Sequence, residues 1–226
     1  MIRYKDKEFE SLFAKIYQLG ALAERAMRDA VWGLAHQDKT IARDIVEGDD
    51  SVDDLAWEIN TLSFELIARY QPVAFDLRAL EACIRMALEL ERITDLAVSI
   101  SRVTLDLDIK MKPLKNIQPM GERVVEMLNG AMSALTNRDA AAAEKIFIMD
   151  DDVDDYEDVV FTEIMEAVKE APLLLYYGSR LMAVPRLLER AGDHVTNITE
   201  QICYMLTGRR VKAGKYRRPK PGEETR

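Results

Sequence analysis

A hexapeptide, Asp49-Asp50-Ser51-Val52-Asp53-Asp54, returns 101 residues later as Asp150-Asp151-Asp152-Val153-Asp154-Asp155. Other landmarks return on nearly the same offset. Pro72 and Pro172 are 100 residues apart, and Asp95 and Asp193 are 98 apart. Self-similarity at a fixed period means two copies of one supersecondary unit. Each copy spans about 100 residues, the size of a small helical bundle.

Apolar spacing within each copy gives the unit its shape. Leu12, Ile16, Leu19, Ala23, Ala26, Ala30 and Leu34 recur at three and four, predicting a helix over 9–34. Gln37-Asp38 offers a stop and a new N-cap. Ile41, Ile45, Gly48, Val52, Leu55, Ile59, Leu62 and Leu66 then form an unbroken heptad seam, predicting one helix over 39–70. Pro72 ends it and opens a third helix reaching Leu105. The pattern restarts at Met120, with helices expected over 120–135, 139–170 and 172–206, the last kinked at Pro185. The fold class is therefore all-α: two tandem, sequence-related three-helix bundles, six long helices with pseudo-twofold symmetry. Residues 1–109 form the first unit, 110–119 a linker, 120–208 the second unit, and 209–226 a basic tail expected to be disordered.

Charge narrows the partners. The net charge is -9, yet 209–226 alone carries eight basic and two acidic residues, so the body is strongly acidic. An acidic body argues against nucleic acid as the main partner. The tail is the one part suited to anionic lipid or an acidic partner, so membrane contact is expected only through it or through protein partners. The opening residues lack a hydrophobic signal segment. The most apolar run, 173–188, is interrupted by Arg180 and Pro185. Cys83 and Cys203 lack metal or redox spacing and read as buried thiols in a reducing, cytoplasmic compartment.

The third helix of each unit adds a second acidic motif, Glu91-Arg92-Ile93-Thr94-Asp95 and Glu189-Arg190-Ala191-Gly192-Asp193. Each puts a Glu and an Asp at i,i+4 on one helix face. Counting from the turn at Pro72, Val52 lies roughly 29 Å back along one helix and Ile93 roughly 32 Å along the next. The two motifs meet at equal depth, and the second unit repeats the match. The seam then selects among the aspartates. Asp49 and Asp53 flank the core lane, Asp50 points away, and Asp54 leaves toward the other side. The expected groups are Asp49, Asp53, Glu91 and Asp95 in one unit, and Asp150, Asp154, Glu189 and Asp193 in the other. Four carboxylates make a hard oxygen site, suited to divalent or ferric ions: Mg²⁺, Ca²⁺, Mn²⁺ or iron ahead of Zn²⁺. The plain alternative is a solvated acidic face paired with Arg92 and Arg190. His194 adjoins Asp193, but Leu96 holds the equivalent place. No phosphate loop and no nucleophile arrangement is present, so no catalytic residue is assigned.

At these residues the chain resembles the PhoU family, the accessory protein of phosphate-specific transport. The segment Ala68-Arg69-Tyr70-Gln71-Pro72-Val73-Ala74-Phe75-Asp76-Leu77-Arg78 is similar to the family signature after the second helix. Glu91-Arg92-Ile93-Thr94-Asp95 and Glu189-Arg190-Ala191-Gly192-Asp193-His194-Val195-Thr196-Asn197-Ile198 resemble its repeated motif. Thr94 and Ser99 depart from that motif's glycine and asparagine. The resemblance spans about residues 5–208. It implies paired three-helix bundles, homodimers, and acidic motifs that hold metal clusters in some members. It further implies a negative regulator of phosphate uptake whose partners are the ATPase subunit of an ABC-type phosphate transporter and a membrane sensor histidine kinase.

The function expected is thus non-enzymatic: a metal-binding accessory protein that docks on the transporter or its kinase. Three alternatives stand beside it. They are a related regulator of another ion transporter, a ferritin-like di-metal oxidase, and a structural coiled-coil adaptor. The oxidase chemistry wants Glu-x-x-His pairs, which the chain lacks, and the proline breaks oppose one continuous coiled coil.

Overall fold

A computed structural model describes residues 4–108 and 114–218. The first unit comprises α1 (Tyr4–His36), α2 (Lys39–Glu47), α3 (Asp49–Tyr70) and α4 (Ala74–Asp106). The second comprises α5 (Ile117–Asn137), α6 (Ala140–Glu170), α7 (Leu175–Leu181) and α8 (Ala183–Thr207). Short 3-10 turns occupy Pro172–Leu174 and Ala213–Lys215. The fold is all-α, with three rods in each unit.

The extra helices come from breaks within two of those rods. The heptad seam is interrupted at Gly48, which ends α2 and starts α3. The side chain of Ser51 turns back to donate to the Gly48 carbonyl at 2.7 Å. The sixth rod breaks at Met182. Pro185 has no N–H to give the Leu181 carbonyl, so it is accommodated in the first turn of α8, where none is needed. Pro119 sits likewise in the first turn of α5, which moves the end of the linker from 119 to 116. Residues 109–113, the end of the first unit and the start of that linker, lie outside the described residues.

The turn between the first two rods is built the same way in both units. Gln37 and Arg138 are left-handed, with φ of 54° and 52°. The next residue is an aspartate that caps the following helix. Asp38 accepts from the amides of Thr40 and Ile41, and Asp139 accepts from that of Ala142.

The central pair is α4 and α8. The first packs on α1, α3 and α8, and the second on α4, α5 and α6, while α1 also touches α5. Gly121 of α5 permits that last approach, since a Cβ there would lie 2.5 Å from Val31 Cγ2. The predicted apolar lanes therefore merge into one contiguous core, running from Leu12 through Leu90 and Met127 to Ile202.

Candidate functional site

Hairpin geometry carries the acidic motifs to one level. The tight Gln71-Pro72-Val73 turn reverses α3 into α4, with Gln71 left-handed at the helix end. Val52 and Ile93 are both buried, which fixes the rotation of the two helices about their axes. Asp49, Asp53 and Asp95 consequently face one another, and each brings a carboxylate oxygen within 4.8 Å of the others. Glu91, the fourth residue expected here, is half-buried and near enough for the charges of Asp53, Asp95 and Asp49 to act on it, but it is not one of the three that converge.

The electrostatics of this cluster are those of crowded like charge. Partial burial raises the carboxyls of Asp49, Asp53 and Glu91 above their ordinary values. Their mutual repulsion, with that of Asp95, adds to it. Asp49 Oδ1 is buried without a hydrogen-bond partner. Arg92 pairs with Asp95 at 3.2 Å, so the plain ion-pair alternative is partly realised. Asp49 and Asp50 also open α3, where negative charge is favoured by the helix dipole.

The second cluster differs. Asp150 lies in the middle of α6 and is only 2% exposed. Gly192 makes that depth possible, because a Cβ at 192 would meet Asp150 Oδ1 at 2.9 Å. The first unit has Thr94 at the equivalent place, buried and donating to the Leu90 carbonyl, and its helix breaks one residue before Asp49. Burial pushes the Asp150 carboxyl up to about 7, and Asp193, Asp154 and Glu189 push the same way. Arg217 opposes them. Its guanidinium contacts Asp150 and reaches Asp193 at 2.8 Å. Burial likewise raises the Glu189 carboxyl.

Arg217 belongs to the segment assigned from sequence to a disordered tail. Residues 209–218 instead lie along α6 and α8. The Ala213 amide donates to Glu200 at 2.8 Å, and Tyr216 packs on Phe147 with ring centroids 5.2 Å apart. Arg218 reaches Asp151, Asp152 and Asp155. Arg123 of α5 also pairs with Asp152. Asp151, at the place equivalent to Asp50, which the rotation argument points away from the core, is only 7% exposed, with Arg218 against it. Six basic residues in 209–218 next to an acidic body were the available signal. Residues 219–226 of the tail lie outside the described residues.

Neither histidine joins a cluster. His194 bonds Glu89 of α4 at 2.6 Å, where Asn197 also donates, and His36 stacks on Trp32. The oxygen-only donor set of Asp49, Asp53 and Asp95, with an orphaned carboxylate oxygen among them, fits a hard cation. In the second cluster the Arg217 guanidinium lies between Asp150 and Asp193.

A duplicated all-α bundle with paired carboxylate clusters is thus the class of protein. The PhoU domain family matches residues 16–104 and again 117–202. A phosphate-specific transport system accessory protein PhoU homolog from Caulobacter vibrioides is 33% identical over 217 residues, covering 95% of this chain and 93% of the relative. A homolog from Thermotoga maritima is 29% identical over 92% of this chain and 90% of its own. The crystal structure of PhoU from Pseudomonas aeruginosa superposes with a TM-score of 0.85 at 28% identity, covering 90% of this chain and 99% of that one. The chain belongs to the PhoU family. Among the described residues, no helix is long and apolar enough to cross a membrane.

Proposed function

We propose that this chain is a regulatory accessory protein of phosphate transport that lowers uptake by binding, without catalysis of its own. The observation that carries the reading is the likeness, over at least nine-tenths of the chain, to proteins named as accessory or regulatory proteins of phosphate transport, including the phosphate transport system regulatory protein PhoU from Streptococcus pneumoniae. The proposed partners are the ATPase subunit of an ABC phosphate transporter and a membrane sensor kinase, met by a cytoplasmic homodimer.

The carboxylate clusters set the electrostatic character of the docking surface. Asp49, Asp53 and Asp95 would hold a divalent or ferric ion, with Glu91 beside them. A bound ion supplies positive charge that neutralises the face. The protein's own part is to hold three carboxylates close enough that they repel one another without a counter-ion. A partner that meets this face therefore responds to both ion and salt.

Two measurements test the reading. Deleting the gene should raise phosphate uptake by cells, and restoring the wild-type chain should lower it again; unchanged uptake removes the regulatory role. Metal analysis of the purified chain should find an ion that Asp53→Asn/Asp95→Asn loses. Equal metal content in the two proteins removes the first cluster as its seat.

A further inference from the structure

The second acidic cluster holds a cation of the chain's own. Residues 209–218 are pinned at three places: the Ala213 amide on Glu200, Tyr216 on Phe147 and Glu144, and the two arginines on the cluster. Arg217 sits between Asp150 and Asp193, with Asp154 close enough to act on its charge. Arg218 closes the outer side through Asp151 (its amide at 2.8 Å), Asp152 at 2.6 Å and Asp155 at 3.0 Å.

The seat fits a guanidinium imperfectly. Asp150 Oδ2 is buried against Arg217 in a charge contact that supplies no aligned hydrogen bond. Arg217 Nε is buried without an acceptor. The guanidinium thus leaves its Nε without an acceptor inside a seat of carboxylate oxygens, which a compact ion with flexible oxygen coordination would not. The first cluster is neutralised differently. Its ion pair comes from Arg92, on the same helix as Asp95, and its carboxylates converge on a common point.

We propose that residues 209–218 are a displaceable plug. Arg217 stands where a hard divalent cation would sit, so tail and metal compete for Asp150, Asp154, Glu189 and Asp193. The second cluster loads only when the tail leaves, and loading releases a segment with six basic residues. This rests on the reading of the carboxylate clusters as cation seats. It adds that the two seats differ in access, the first open and the second gated by the chain itself.

Mn²⁺ binding by equilibrium dialysis, on the full chain and on Arg217→Ala/Arg218→Ala, tests it. Wild type should bind Mn²⁺ tightly at the first cluster only, and Asp53→Asn/Asp95→Asn should lose that binding. The arginine variant should gain binding at the second cluster, tighter than wild type there by about tenfold or more, because the competent form is no longer a minor fraction. Adding Glu189→Gln/Asp193→Asn should remove the gain. Hydrogen exchange over 209–218 should be slow in metal-free wild type and speed up at saturating Mn²⁺. Identical isotherms for wild type and the arginine variant, with first-cluster binding intact, overturn the plug and leave the cation reading standing. No Mn²⁺ on either protein overturns both. Exchange over 209–218 as fast in wild type as in the arginine variant overturns the plug whatever the metal does.

Discussion

Asp150 is the residue where burial and charge conflict most. Desolvation holds its carboxyl near 7 in the fold, against an ordinary value near 3.8, despite the Arg217 contact. The folded chain therefore binds a proton that the unfolded chain has released. Stability contributed by that proton is present below pH 4 and is lost as pH rises toward 7, by at most on the order of 4 kcal/mol. Asp150→Asn lacks this titration. In chelator, its stability relative to wild type should rise between pH 4.5 and pH 7.5, as read by denaturant unfolding at both pH values. A difference that stays constant or shrinks would contradict the burial account. Much of this residue's place was legible in advance. The seam set Val153 in the core, and Asp150 and Asp154 followed as its flanks. The depth was not legible, because it depends on Gly192 across the groove and on a tail that composition alone assigns to solvent.

At the scale of elements, local signals survived best where they act within a few residues. Gln37-Asp38 announced a stop and a cap, and the structure builds one there from a left-handed residue and a carboxylate that accepts two amides. Asp38→Ala removes the Oδ1 that accepts from both amides and should cost about 1 kcal/mol in unfolding free energy, whereas Asp38→Asn should recover most of it. Equal losses for the two variants would mean that the cap matters through its charge instead. Pro185 announced a kink, and the rod breaks at Met182, one turn earlier, because the proline constrains the turn that precedes it. The break at Gly48 went unseen. Its apolar spacing continues straight through, so periodicity could not distinguish one helix from two in phase across a break.

For the whole molecule, duplication gives two three-helix bundles joined by a linker. The packing of α4 on α8 and of α1 on α5 brings the two together, and their buried side chains form one contiguous cluster. Periodicity says which face of a helix is apolar but not which helix covers it, so this join was not legible. It has a thermodynamic consequence. Neither unit can expose its third helix without uncovering the core of the other, so the two should unfold together. The cysteines report on each half separately: Cys83 lies in α4 and Cys203 in α8, and both are fully buried. Burial also pushes their thiols up, to about 12 and about 11, which suppresses the reactive thiolate in the folded state. Pulsed thiol labelling across a denaturant titration should show both cysteines becoming reactive at one midpoint. Labelling of Cys203 at clearly lower denaturant than Cys83 would show that the second unit, with its broken sixth rod, opens on its own, and that the shared core does not couple the halves.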